Sequence, residues 1–207
     1  LTILANLADK SKDYAMPGRT HGQHAVPVTF GHKVASWIDE MLRHVERLQT
    51  SETRVFAAMF GGGGGTLASV GIEGLETQRL VAEELGMSSM PLPTRTASDH
   101  LTEYIMTLAL LSATCSRMAQ EVIQLMKQEY GEVEEPWSEG TVGSSTMPQK
   151  RNPKLSKGIL AWGAELRLFV SLALQSMLQE HECEAYGYEM IETSLDKTCI
   201  LTSKIME

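Results

Sequence analysis

Residues 99–130 contain neither glycine nor proline, and their apolar side chains fall into a regular seam. Leu101, Tyr104, Leu108, Leu111, Cys115, Met118, Val122 and Leu125 alternate spacings of three and four without a slip. That period belongs to a helix, and a helix of this length would run ~48 Å at 1.5 Å per residue. Ser98 or Asp99 can cap its start, and Gly131 can mark its end. A second apolar strip, Ile105, Ala109 and Ile123, runs beside the seam. A helix apolar on more than one side must be buried against several neighbours.

The same period runs through 28–60 (Val34, Trp37, Ile38, Met41, Leu42, Val45, Leu48) and through 154–178 (Leu155, Ile159, Trp162, Leu166, Phe169, Met177). The prolines cluster at Pro17 and Pro27, at Pro91 and Pro93, and at Pro136, Pro148 and Pro153, so they punctuate these stretches without breaking them. Strand-like alternation is almost absent. The expected fold is all-α, an elongated bundle of long helices whose apolar sides exceed what one chain covers, which favours self-association. Gly61 to Gly65 interrupt the pattern. The run lacks a preceding strand, a following Lys-Ser/Thr and the spacing of a dinucleotide loop, so it reads as a helix break or close-packing point.

The formal net charge is −8, which argues against nucleic acid as a partner because phosphate binding needs a basic footprint. No uncharged apolar run approaches the ~20 residues of a membrane span. Cys115, Cys183 and Cys199 are odd in number and far apart, which gives neither a disulfide framework nor a CxxC metal site. With no secretory signal pattern in LTILANLADKSKD, a cytoplasmic location is expected. The apolar start at Leu1 lacks an initiator Met, so the chain is expected to be a piece of something longer.

The acids are unevenly spread. None lies between Tyr14 and Ile38, where Arg19, His21, His24, His32 and Lys33 stand, or between Gly140 and Ala164, where Lys150, Arg151, Lys154 and Lys157 stand. Two such windows in an acidic chain suggest local positive potential suited to carboxylates; an interface with acidic helices is the alternative. The second window holds a long loop, EEPWSEGTVGSSTMPQKRNP, whose small residues suit an anion nest. Loops of that length between long helices commonly act as lids or binding loops.

Gly143-Ser144-Ser145-Thr146-Met147-Pro148-Gln149-Lys150-Arg151-Asn152-Pro153 matches every fixed position of G-S-S-x-M-P-x-K-x-N-P, the signature of the aspartase/fumarase superfamily. Gly18-Arg19-Thr20-His21-Gly22-Gln23-His24-Ala25 resembles the Thr-His segment of its adenylosuccinate lyase and carboxymuconate cycloisomerase branch, and 60–71 resembles its glycine-rich stretch. The likeness covers about residues 14 to 200. It implies that residues 1–207 form the central helical domain of a homotetramer with active sites shared between subunits. The signature loop would span about 132–153. Flanking domains and one further active-site segment would lie outside the chain, leaving these 207 residues inactive alone.

The resemblance also implies a chemistry. Members remove a proton beside a carboxylate and expel an amine or oxygen, usually releasing fumarate, with no cofactor and no metal. The intermediate carries two negative charges on one carboxyl group and needs donors already in place. By resemblance Ser144 is the base, activated by excluded water and surrounding donors as the loop closes. His21 is the candidate proton donor to the leaving group, since histidine changes charge near neutrality. Lys150 and Asn152 would hold a carboxylate of a small polycarboxylate substrate, with Thr20, Gln23 and Ser145 as further contacts.

Several positions depart from the family pattern. Ala97-Ser98-Asp99 stands where Gln-Arg-Asp is usual, Cys183 where Arg is expected, and Ala185-Tyr186-Gly187-Tyr188 replaces a Ser-rich segment. Glu180, His181 and Glu182 lack metal-site spacing and read as an acidic face. The leading expectation is a C–N lyase that releases fumarate from an N-substituted aspartate. A 3-carboxy-cis,cis-muconate cycloisomerase and a catalytically silent scaffold of the same fold, such as a lens crystallin, are the alternatives.

Overall fold

The computed structural model describes residues 1–138, 140, 143–147 and 149–207. The elements are α1 (Thr2–Lys10), β1 (Ala15–Thr20), β2 (Gln23–Thr29), α2 (Phe30–Val55), β3 (Ala57–Ala58), α3 (Gly74–Glu84), β4 (Ser88–Ser89), α4 (Asp99–Leu125), α5 (Lys154–Ser176) and α6 (Ala185–Met206). The all-α class expected from the periodicity is the one observed, and the strands amount to one hairpin, β1–β2, and a short parallel pair, β3–β4. The chain packs as two compact units, residues 1–44 with 111–163 and residues 45–110 with 164–207. Helices α2, α4 and α5 each contribute residues to both.

In the first unit Val34, Trp37 and Met41 of α2 are buried together with Leu111, Ala119 and Leu125 of α4, the face that the spacing of three and four selects. Phe30 meets Trp37 edge to face, with ring centroids 6.1 Å apart. Thr29 caps α2 by accepting from the His32 amide at 3.1 Å. In the second unit Ile105, Ala173 and Ile191 bring α4, α5 and α6 into one core, with Leu101, Val170 and Leu195 packed against it. The Thr102 hydroxyl donates to the Ala173 carbonyl at 3.1 Å, so a polar side chain buried in that core is satisfied.

Helix α4 stops earlier than the seam suggested. It ends at Leu125, and the chain turns so that the Glu132 amide donates back to the Leu125 carbonyl at 3.0 Å. Gly131 adopts a left-handed φ of 59° inside that turn. The seam persists in composition through 130, but the turn carries Glu132 to a partner described below. The glycine run behaves as a close-packing point: Gly65 has φ +75°, and a Cβ there would lie 2.3 Å from the Pro93 carbonyl oxygen.

Helix α5 differs in where its apolar side faces. Leu155, Leu168 and Leu174 are exposed. By length and composition alone α5 is long and apolar enough to cross a membrane, although it is not an uncharged run: Glu165 and Arg167 stand near its middle.

A buried polar chain ties α2 to α4 in the first unit. Thr114 donates its hydroxyl proton to Glu40 Oε1 at 2.6 Å, so its lone pairs are left to accept from His44 Nε2–H at 2.8 Å. Arg117 pairs with the other Glu40 oxygen. The Thr114 hydroxyl, and then Arg117, hold the Glu40 carboxyl below the ordinary carboxylate range, against a burial effect of opposite sign. Replacing Thr114 by valine strips both partners of their shared hydroxyl, so urea denaturation should show a loss of about 1–3 kcal/mol at pH 7. A carboxylate with a depressed folded pKa stabilises above its unfolded value and loses that contribution as pH falls through the folded one. The gap between wild type and Thr114→Val should therefore narrow as pH falls below the ordinary carboxylate range.

Candidate active site

The hairpin that carries Thr20, His21 and Gln23 is the main feature the proline pattern concealed. Pro17 and Pro27 face each other across an antiparallel pair, where neither lends an amide to the ladder. Thr20 pairs with Gln23, which leaves His21 and Gly22 as a two-residue turn with φ of 51° and 75°. Positive φ at both central positions is the type I′ pattern, which gives the twist that the flanking strands need. Glycine adopts it without strain, and histidine is among the few other residues that tolerate it. Thr20, His21 and Gln23 thus stand exposed together at the tip.

Arg19 fixes the base of this tip. Its guanidinium makes a two-pronged ion pair with Glu132, Nη1 lying 3.0 Å from Oε2, and stacks 4.4 Å from the Tyr130 ring centroid. The side chains are only 14% and 19% exposed, so the pair is shielded from solvent. Hydrogen bonding to Arg19 is the largest effect holding Glu132 below the usual carboxylate range, with the charges of Arg19, His24 and Lys33 adding to it. The result is a tie between the hairpin and the first residue of the signature loop. Sequence reading passed over it because the two residues lie 113 positions apart.

The loop has its own internal order. Ser144 Oγ accepts from the Met147 amide at 3.2 Å and more distantly from the Thr146 amide at 3.4 Å. These donors favour a negatively charged oxygen, which a serine acting as a base needs. Asn152 Nδ2 donates to the Gly143 carbonyl at 3.1 Å, closing the loop on itself and leaving its second N–H available. Gly143 is required by contact, since a Cβ would lie 2.3 Å from the Lys150 carbonyl oxygen. Glu135 accepts from the Leu155 and Ser156 amides at 3.1 and 2.8 Å and so caps α5 directly after the loop. Ser145 and Lys150 are exposed. Pro148 of the signature, together with Glu139, Thr141 and Val142, lies outside the described residues.

The residues expected to act together therefore form two clusters, Thr20-His21-Gln23 at the hairpin tip and Ser144, Ser145, Lys150 and Asn152 on the loop. Among the described residues no hydrogen bond joins one cluster to the other. The acid-free windows are answered in part by acids from outside them: Arg19 meets Glu132, Lys33 meets Glu121 at 2.7 Å, and Arg151 meets Glu134. Of these acids only Glu121 stands on a helix, so the alternative of an interface with acidic helices is met by that pair alone. Lys150 has no carboxylate partner among the described residues, and it is the cation that the resemblance places on substrate.

The family model described as "Lyase" matches residues 1–161. The chain belongs to the aspartase/fumarase superfamily of lyases. It is 40% identical over 185 residues to N-acetyl-S-(2-succino)cysteine lyase of Enterococcus italicus, a match covering 89% of this chain and 41% of that protein. It is 38% identical over 209 residues to adenylosuccinate lyase of Methanothermobacter thermautotrophicus, covering 100% of this chain and 46% of that one. The solved 3-carboxy-cis,cis-muconate lactonizing enzyme of Pseudomonas putida superposes with a TM-score of 0.90 at 32% identity, covering 99% and 44%. The chain thus spans less than half the length of each of these superfamily members.

If Arg19 and Glu132 brace the Thr-His tip, Glu132→Gln should loosen it. Hydrogen exchange of the amides in 15–29 should speed up several-fold while that of α4 stays unchanged. Because Glu132 is the depressed partner, the wild-type protection should persist above the ordinary carboxylate range and fade as pH falls through the folded value, whereas the glutamine variant should show no such step.

Proposed function

We propose that the protein is a lyase that eliminates fumarate from an N-substituted aspartate, using Ser144 as base and His21 as acid. The observation that carries this reading is the Ser144 hydroxyl, which receives backbone N–H donors inside its own loop. Ser144 takes the proton from the carbon beside the distal carboxylate. The resulting double charge on that carboxyl group meets Lys150 and the second N–H of Asn152, with Thr20, Gln23 and Ser145 positioning the substrate. His21 then protonates the departing heteroatom as the double bond forms.

A C–S version of the same elimination, in which a thiol leaves, is the second reading. The 40% identity to a lyase of a succinylated cysteine favours it, and so do Ser98 and Cys183, which remove two cations from the pattern resembling adenylosuccinate lyases. Ultraviolet absorbance on the full-length protein separates the readings. Fumarate should appear from succinyl amines in the first and from succinyl thiols in the second, whereas loss of a conjugated diene from carboxymuconate would mark a cycloisomerase instead.

Three variants test the roles. Ser144→Ala should abolish turnover, at least about a thousandfold, yet still bind substrate, because only the proton-transfer step loses its base. Exchange of the substrate β-hydrogen with deuterated water at the normal rate in Ser144→Ala would sink that assignment. His21→Asn should slow release of the leaving group more than it weakens binding. Lys150→Met should raise KM as well as lower kcat, since the ground-state carboxylate already feels that charge.

The exposed leucines of α5 need a cover, and we take that cover to be other copies of the chain in a homotetramer with shared active sites. Light scattering should report a tetramer at micromolar concentration, and a stable soluble monomer would overturn this assembly.

A further inference from the structure

Trp137 stands ahead of the signature, half-buried, with its ring against Gly143. Gly143 is itself buried, and a Cβ there would lie 2.5 Å from Trp137 Cη2 and 3.2 Å from Cζ2. The far edge of the indole is thus one wall of a slot. The Lys150 carbonyl oxygen, 2.3 Å from the same Cβ position, is another. Asn152 Nδ2 donates to the Gly143 carbonyl at 3.1 Å. Three contacts therefore confine the backbone directly before Ser144.

The ring has a support of its own. The Arg151 guanidinium lies over it, 5.3 Å from the ring centroid, and Arg151 pairs with Glu134. These two side chains are 46% and 49% exposed, so their ion pair by itself adds little stability. Its consequence is geometric, because a guanidinium held by a carboxylate stays aimed at the ring face. Glu134 and Trp137 come from the entry of the loop and Arg151 from its exit, so the stack ties one to the other. Ser144 Oγ receives the Met147 and Thr146 amides, and that geometry depends on where the chain leaves Gly143. A shift of about 1 Å at a reacting group can cost about a hundredfold in rate. An indole edge packed on the preceding glycine limits such a shift, whereas a small side chain would leave open space on that side.

We propose that Trp137 is a positioning residue for the base. Held by Arg151 and Glu134, its ring fixes the Gly143 backbone and through it the Ser144 hydroxyl. The role needs no contact with substrate, and it rests on the reading of Ser144 as the base. A ring that only buried apolar area would affect stability and leave the rate alone.

Steady-state kinetics and hydrogen exchange on the full-length protein test it, with adenylosuccinate and N-acetyl-S-(2-succino)cysteine as the compounds from which fumarate release is followed. Trp137→Ala should lower kcat about thirtyfold and change KM less than about threefold, because the base is displaced and the substrate contacts are not. Trp137→Phe keeps a face for Arg151 but lacks the indole edge, and should lose only about threefold in kcat. Arg151→Gln should fall between the two. Amides of 143–147 should exchange several-fold faster in Trp137→Ala, while those of α5 stay unchanged and show that the variant is folded. In a Ser144→Ala background, Trp137→Ala should have no further effect on the residual kcat. An unchanged kcat in Trp137→Ala, a loss confined to KM, equal losses in Trp137→Ala and Trp137→Phe, or unchanged exchange at 143–147 would each overturn the proposal. Normal turnover in Trp137→Ala beside an inactive Ser144→Ala sinks the positioning role alone. Normal turnover in Ser144→Ala sinks the assignment of the base on which that role rests.

Discussion

Helix α4 is surrounded on most sides, and that burial sets the terms for the rest of the chain. Apolar residues from its seam and its second strip are buried, but so are Thr102, Thr107, Ser112, Thr114 and Ser116. A helix wrapped in this way cannot leave those hydroxyls unpaired, because a buried donor without a partner loses its water at full cost. Each hydroxyl with a described bond answers to a definite neighbour: Thr102 to the Ala173 carbonyl of α5, Thr107 to the carbonyl of Glu103 one turn back, Thr114 to Glu40 of α2. Apolar burial brings the helices together, and the Thr102 and Thr114 bonds cross from α4 to its neighbours.

The same economy governs the charges. The acidic excess of the chain does not simply repel from its two acid-free windows; several of its carboxylates reach into them. Arg19 with Glu132 and Lys33 with Glu121 join segments about ninety to more than a hundred residues apart, in partly shielded places where a charged hydrogen bond outweighs its exposed counterpart. What remains unpaired by acids then becomes meaningful. Lys150 stands on the signature loop with no carboxylate partner among the described residues, close in sequence to a serine whose oxygen is already fed by backbone amides.

That distribution agrees with an elimination chemistry that has little need of a cofactor. Its demand is electrostatic: a base that tolerates negative charge, a cation for a doubly charged carboxyl group, and an acid at the departing atom. The hairpin tip and the serine loop are built by different local rules, one by a tight turn with positive φ and the other by short-range capping of Ser144 and Asn152. Superfamily membership shows that this fold hosts lyases, and the residue roles are the part that the variants above examine.

The periodicity of the sequence determined three of the four long helices, all but α6, and the all-α class, because a spacing of three and four admits one regular backbone. The eleven residues from Gly143 to Pro153 and the Thr-His segment were enough to place the chain in its superfamily. Neither pattern revealed the β1–β2 hairpin, whose prolines read as breakers and whose apolar residues, Ala25-Val26-Pro27-Val28 among them, run in succession instead of alternating. The early end of α4 was equally hidden, since the seam itself continues and the contact made by the chain beyond it, Glu132 with Arg19, lies across the fold. Only the tertiary structure decided which cations are neutralised and which polar atoms are orphaned. Those properties depend on what a side chain meets in space, and a one-dimensional pattern fixes what a residue can offer but not who is there to accept it.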